Sequence, residues 1–191
     1  MNFGFSQDIS QALDVLRSGG VILYPTDTIW GIGCDATNIH AVKRVYEIKQ
    51  RKDVKSMLVL MENSNLLNSY VSEVPEIAWN LIEVSDKPLT IIYPGAKNLA
   101  ANLISPDGSI GIRLTSELFT QQLIQRFRKP VVSTSANISG QKTPQNFYEI
   151  SKEIKDAVDY VVQYRRDDHT LSNPSSIIKL GIGGEIEIIR K

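Results

Sequence analysis

Apolar and polar positions along this chain change period repeatedly, and the changes divide it into short helices and strands. Over residues 6–18, Ile9, Leu13 and Leu16 recur at helical spacing, Ser6 stands where a cap would, and Gly19-Gly20 follows as a stop. VILY (21–24) reads as a buried strand. Residues 40–50 read as a helix with Val42, Val45 and Tyr46 inward, and SMLVLM (56–61) as another strand. Residues 65–70 and 76–84 read as helices, and LTIIY (89–93) as a strand stopped by Pro94-Gly95. The second half repeats the alternation: strand SIGIRL (109–114), helix 116–127, strand PVVST (130–134), loop SANISGQKTP (135–144) and helix 145–154. Strands YVVQY (160–164), SSIIKL (175–180) and EIEIIR (185–190) complete it. Alternating strands and helices predict an α/β fold. The tight LGIGGEIEI turn predicts at least one antiparallel pair. No repeat, low-complexity tract or linker interrupts the pattern, so a single domain over 1–191 with a mixed parallel and antiparallel sheet flanked by helices is expected.

Composition narrows the functional classes. Hydrophobic residues make up 42% of the 191, enough for a real core. Lysine plus arginine (21) balance aspartate plus glutamate (21), which removes any global electrostatic case for nucleic acid and leaves only a local basic patch. One cysteine, Cys34, cannot form an internal disulfide and favours a reducing compartment. The start, MNFGFSQDISQALDVL, lacks a basic region followed by a long apolar core, so no signal peptide is expected. No apolar run approaches the roughly 18–20 residues of a membrane span. A soluble cytoplasmic protein is the expectation.

Polar residues concentrate at strand ends. In YPTDTIWGIGCDATN (24–38), Thr26, Asp27 and Thr28 follow an apolar run. They read either as a turn bonding its own backbone or as the rim of a small-molecule site. Gly31 and Gly33 resemble a phosphate loop, a weak signal without the rest of a dinucleotide fingerprint. In KQRKDVK (49–55), Lys49, Arg51, Lys52 and Lys55 oppose Asp53 alone, as a solvated helix end or a phosphate grip. Arg113 interrupts the apolar SIGIRL and needs a partner, either a structural carboxylate or an anionic ligand. VVSTSANISG (131–140) sets Ser133, Thr134, Ser135 and Asn137 at a strand's end, suited to phosphate or ribose oxygens or to an ordinary turn. The two histidines, His40 and His169, and Cys34 form no zinc spacing. Neither a G-x-S-x-G elbow nor a G-x-x-x-x-G-K-[ST] loop is present. Cys34, following an apolar strand, reads as packing before nucleophile.

Taken in order, YPTDTIWGIGCD, KQR…K, GIRL, STSANISG, NPSSI and the terminal IIR resemble the YrdC-like family, specifically its short single-domain threonylcarbamoyl-AMP synthases of the TsaC type. The resemblance covers nearly the whole chain. It implies a twisted α/β sheet with a basic concave cleft. It also implies formation of threonylcarbamoyl-AMP and pyrophosphate from L-threonine, bicarbonate and ATP, a nucleotidyltransferase reaction serving the N6-threonylcarbamoyladenosine modification of tRNA. ATP is then the nucleotide, with magnesium bridging its phosphate oxygens and no dedicated protein ligands. Other proteins would take the product to tRNA, and tRNA or double-stranded RNA could bind directly. The K-x-R…S-x-N signature is matched by Lys49, Arg51, Ser135 and Asn137, implied as catalytic. Lys49, Arg51 and Lys55 would neutralise phosphates. Ser109, Ser133, Ser135, Asn137 and Thr143 would bond phosphate, ribose or adenine, with Arg190 near the nucleotide. Arg113 would hold the threonine carboxylate, and Thr26, Thr28 and Ser175 would line that pocket. Two departures stand out: Lys52 replaces a usual proline, and SDKPLT (85–90) replaces W-P-G-P-[LV]-T. An RNA-binding module without synthesis, and a carbamoyltransferase of the kind found in hydrogenase maturation, are the rival readings.

Overall fold

The helices and strands of the computed structural model, which describes residues 4–50, 57–171 and 173–191, follow that alternation closely. Helix α1 (Ser6–Arg17) buries Ile9, Leu13 and Leu16, the predicted stripe. Full burial of each such side chain contributes about 1.5–3 kcal/mol. Its cap position is Phe5 with no side-chain bond, so Ser6 lies inside the first turn. Strand β1 (Ile22–Tyr24) turns back through the Thr26–Thr28 loop into β2 (Gly31–Gly33). Sequence reading had no strand at β2, because GIG has little strand propensity. Contact explains it. A Cβ on Gly33 would lie 2.4 Å from the Val132 carbonyl oxygen and 2.6 Å from Tyr24 Cε1. Gly31 and Gly33 are therefore paired strand residues and not a phosphate loop.

Asn38 caps α2 (Ile39–Ile48), accepting from the His40 and Ala41 N–H groups, and the helix buries Ala41, Val42 and Val45. Strand β3 (Leu58–Met61) leads through a 3₁₀ turn, Ser64–Leu66, into α3 (Leu67–Tyr70). Helix α4 (Glu76–Val84) and strand β4 (Leu89–Tyr93) have the predicted bounds. After β5 (Ile110–Leu114), α5 (Leu118–Phe127) starts two residues later than expected. Its cap is Glu117, whose carboxylate accepts the Thr120 N–H at 2.8 Å. Strand β6 (Val131–Ser135) follows. The expected helix 145–154 divides into a 3₁₀ turn, Phe147–Glu149, and α6 (Lys152–Ala157). Asn146 caps the first and Ser151 the second, so two side-chain caps break a run that periodicity alone joins. Strands β7 (Tyr160–Val161), β8 (Ser176–Leu180) and β9 (Ile186–Arg190) end the chain, β8 and β9 forming the predicted antiparallel pair.

The nine strands make one mixed sheet in the order β7-β1-β2-β6-β3-β5-β4-β8-β9. Pairs β1–β7, β3–β5 and β4–β8 are parallel, and the others antiparallel. Helices α1 and α5 pack together and flank the strands β1, β7 and β3. Buried Asp8 ties α1 to the segment after β7, its carboxylate accepting the Gln163 N–H at 3.0 Å and the Tyr164 N–H at 2.7 Å. Among the described residues, no helix is long and apolar enough to cross a membrane.

Candidate active site

Strand register gathers the polar residues onto one face. Reading across the sheet, Arg190 pairs with Ile177, Ile177 with Thr90, Thr90 with Arg113 and Arg113 with Leu60. Two residues along, Leu58 pairs with Ser133, and Gly31 pairs with Ser135. Directly opposite residues project to the same face. This face therefore carries two guanidiniums and a row of hydroxyls, drawn from the turn after β1, strands β4, β5, β6 and β9, and Ser175 just before β8. It floors a cleft of about 190 Å³. Of the predicted residues, Thr28, Arg113, Ser133, Ser135, Thr143, Ser175 and Arg190 line it. Its described lining holds no carboxylate.

Arg113 is 3% exposed. Both readings of it meet here: it lines the cleft, and its Nη2 lies 3.0 Å from Asp27 Oδ1. Asp27 was not assigned a role from the sequence. Nη2 also reaches Thr26 Oγ1 at 3.4 Å, whereas Nε has no acceptor among the described residues. Beside it the buried Ser175 and Thr90 hydroxyls share a 2.8 Å hydrogen bond. The Ser175 carbonyl accepts from Arg190 Nε at 2.9 Å. Burial, and then the nearby Arg113 charge, lower the Arg190 pKa below its ordinary value, so the two guanidiniums share one electrostatic environment.

The two threonines of the opening turn separate. Thr26 donates to the Ile29 carbonyl at 2.7 Å and accepts the Thr28 N–H at 3.1 Å, the local turn that its chemistry allows, and it does not line the cleft. Thr28 does. Lys49 and Asn137 stand behind the wall. The Lys49 ammonium, 3% exposed as a residue, donates to the carbonyls of Ser135 at 2.6 Å and Asn137 at 2.8 Å. Asn137 Nδ2 donates to the Gln141 carbonyl at 2.8 Å. These contacts shape the loop that presents Ser135. Ser109, at the start of β5, spends its hydroxyl on Asp107 at 2.6 Å and is not part of the described lining. Arg51 and Lys55 lie outside the described residues, as does Lys52. Met57, the first described residue after them, lines the cleft.

Some lining residues carried no chemical signal in sequence. Trp30 is 6% exposed, lines the cleft and leans on Phe147 with ring centroids 4.9 Å apart. Its place beside the polar turn was the only available hint. Cys34 is buried, and burial raises its thiol pKa far above the ordinary value, which fits packing and not nucleophilic use. Ser85 and Lys87, from the segment that departs from the family pattern, line a different cavity of about 140 Å³, with Ile91, Tyr93, Ile112 and Leu114 on the opposite face of the sheet; Asp27 borders this cavity and reaches Arg113 from its side. Among the described residues no cluster of three or more His, Cys, Asp or Glu could hold a metal. This donor set does not make a dedicated magnesium site.

Comparison with known proteins agrees with this fold. The Sua5/YciO/YrdC family model, described as "Telomere recombination", matches residues 14–191. Over 172 residues the chain is 34% identical to a threonylcarbamoyl-AMP synthase of Pseudoalteromonas translucida, covering 88% of this chain and 91% of that protein. Among solved structures, E. coli YciO is similar with a TM-score of 0.83 at 26% identity, over 97% of this chain and 89% of that one. P. abyssi Sua5 complexed with L-threonine has the same fold, with a TM-score of 0.80 at 23% identity over 90% of this chain and 50% of that longer chain. With its model matched across nearly the whole chain and its fold shared with solved members, this protein belongs to the Sua5/YciO/YrdC family.

Proposed function

We propose that this protein is an enzyme, a threonylcarbamoyl-AMP synthase that joins L-threonine, bicarbonate and ATP with release of pyrophosphate. The observation that carries the reading is one cleft, its described lining free of carboxylates, in which Arg113, Ser133, Ser135, Thr143, Ser175 and Arg190 converge from separate segments. Support also comes from the synthase name of the relative at 34% identity and from the threonine complex of the Sua5 protein.

In this reading Arg113 holds the amino-acid carboxylate, with Thr28 and Ser175 offering hydroxyls beside it. Arg190 and the hydroxyls of Ser133, Ser135 and Thr143 hold nucleotide oxygens. Arg51 and Lys55 add cationic charge at the phosphates. Lys49 and Asn137 act by holding the 135–141 loop, and Thr26 by holding the turn. The neutral threonine amine combines with bicarbonate, with loss of water, to give a carbamate, and the carbamate oxygen attacks the α-phosphorus, with the P–O bond to pyrophosphate breaking. Catalysis is positioning plus electrostatic stabilisation of the departing pyrophosphate. With no carboxylate in the described lining of the cleft, magnesium would enter on the triphosphate as part of the substrate, and the product would pass to tRNA-modifying proteins.

The test is pyrophosphate release with ATP, bicarbonate and L-threonine. Release that needs all three supports the synthase. RNA retention without turnover would replace it with an RNA-binding module. Arg51→Ala should raise the barrier by about 3–4 kcal/mol, the loss of one preorganised donor to developing charge. Near-normal turnover in that variant removes the role given to Arg51.

A further inference from the structure

We propose that Asp27 is a positioning residue for the amino-acid end of the cleft: its carboxylate fixes the Arg113 guanidinium and keeps simple anions off it. The inference rests on the reading of Arg113 as a carboxylate anchor. Both side chains of the pair are 4% exposed, and they meet at 3.0 Å. Neither charge is tolerable there alone.

The pair is made in an unusual way. Among the described residues Asp27 Oδ1 makes no well-aligned hydrogen bond, and Oδ2 receives only the Ser116 N–H at 3.5 Å. Asp27 therefore acts on Arg113 chiefly as a charge. Arg113 has five N–H donors. One nitrogen faces Asp27 and, at 3.4 Å, Thr26, while Nε has no acceptor among the described residues. The guanidinium is thus anchored at one edge, and because Arg113 also lines the cleft, its remaining N–H groups there are left for a ligand. A ligand carboxylate can use them without displacing Asp27.

Charge cancellation gives the second consequence. With Asp27 in place the pair is neutral, so a small anion such as acetate gains little net attraction from Arg113 itself. A ligand must then gain affinity from the rest of its contacts. An asparagine at position 27 would keep the shape and lose the charge, leaving a guanidinium that acetate could neutralise in any pose but that is no longer fixed where threonine's carboxylate and its other contacts can be met together. The turn that delivers Asp27 is held independently by the Thr26 hydroxyl at Ile29 and Thr28.

The experiment uses the full chain and compares wild type, Asp27→Asn and Asp27→Glu. Calorimetric binding of L-threonine and of acetate is measured, with thermal melts and threonine-dependent kinetics alongside. In Asp27→Asn, threonine affinity should fall about tenfold or more, the size of a charge-assisted contact. Acetate should bind several-fold more tightly, and KM for threonine should rise more than kcat falls. Asp27→Glu keeps the charge but displaces the carboxylate by one methylene. It should lose threonine affinity and gain none for acetate, and it serves as the test if Asp27→Asn does not fold. Wild-type affinities for both ligands in folded Asp27→Asn, or for threonine in folded Asp27→Glu, would overturn the proposal and leave a purely structural ion pair. If wild type releases no threonine-dependent pyrophosphate, the synthase reading falls on its own. The acetate comparison then decides Asp27: tighter binding in Asp27→Asn supports it, and unchanged binding rejects it.

Discussion

Lys49 and Arg113 are equally buried, each 3% exposed, yet their hydrogen-bonding capacity is spent differently. Lys49 gives two short bonds to the Ser135 and Asn137 carbonyls and a longer 3.5 Å contact to Ser135 Oγ. Its own carbonyl accepts the Ser139 N–H at 2.9 Å, so it braces the loop from both its side chain and its backbone. Arg113 meets Asp27 and, at 3.4 Å, Thr26 through one nitrogen, lines the cleft, and has no acceptor for its buried Nε among the described residues. A buried cation whose donors go to backbone carbonyls works as a strut, whereas one with donors to spare can grip a ligand.

The contrast can be broken first at Lys49. Lys49→Met should leave two buried carbonyls short of a donor, at a cost of about 3 kcal/mol, read as a lower urea midpoint together with reduced turnover. If stability stays at the wild-type level while turnover alone falls, Lys49 acts on substrate and the strut is wrong. Next comes Arg113→Ala, which should raise the threonine KM at least tenfold, or about 1.5–3 kcal/mol of binding, with a smaller change for ATP. A threonine requirement that does not move would make Arg113 a second strut.

Ser175→Ala sharpens the comparison at smaller scale. It strands the buried Thr90 hydroxyl and should cost about 1 kcal/mol of stability. The threonine KM should rise a few-fold, and the ATP KM should hold, because the carbonyl that receives Arg190 remains. Equal changes for both substrates would mean that the two ends of the cleft are not separate.

The smallest effect lies away from both cations. Asp107 is held at a pKa of about 2 by hydrogen bonds from Lys179 and then Ser109. Its folded pKa is below its unfolded one, so its contribution is present above the ordinary carboxylate range and fades as pH falls from about 4 towards 2. Urea midpoints across that window should fall more gently in Lys179→Met than in wild type. An identical slope would remove the assignment.

Several elements were legible because their signals are local. Helix α4 and strand β4 lie where apolar spacing and the Pro94-Gly95 stop put them. The β8–β9 pair forms across its glycine-rich turn, with Gly184 at φ +87. Strand β2 was not legible, because the need for glycine at position 33 comes from Val132 and Tyr24, remote or across the turn. The division near Ile150 was missed because capping by Asn146 and Ser151 outweighs the helical period.

Sequence alone determined the alternation of elements, the family resemblance and the clustering of hydroxyls at strand ends, since each is written in adjacent residues. Only the tertiary structure decided which of them face the cleft. Thr26 and Thr28 carry the same chemistry two positions apart, yet one closes a turn and the other lines the wall. Asp27 and Arg113 are far apart in the chain, and their meeting depends on how the turn after β1 folds against the end of β5. Charge partners are chosen by distance in space, and strand register, which sets that distance, is a property of the assembled sheet.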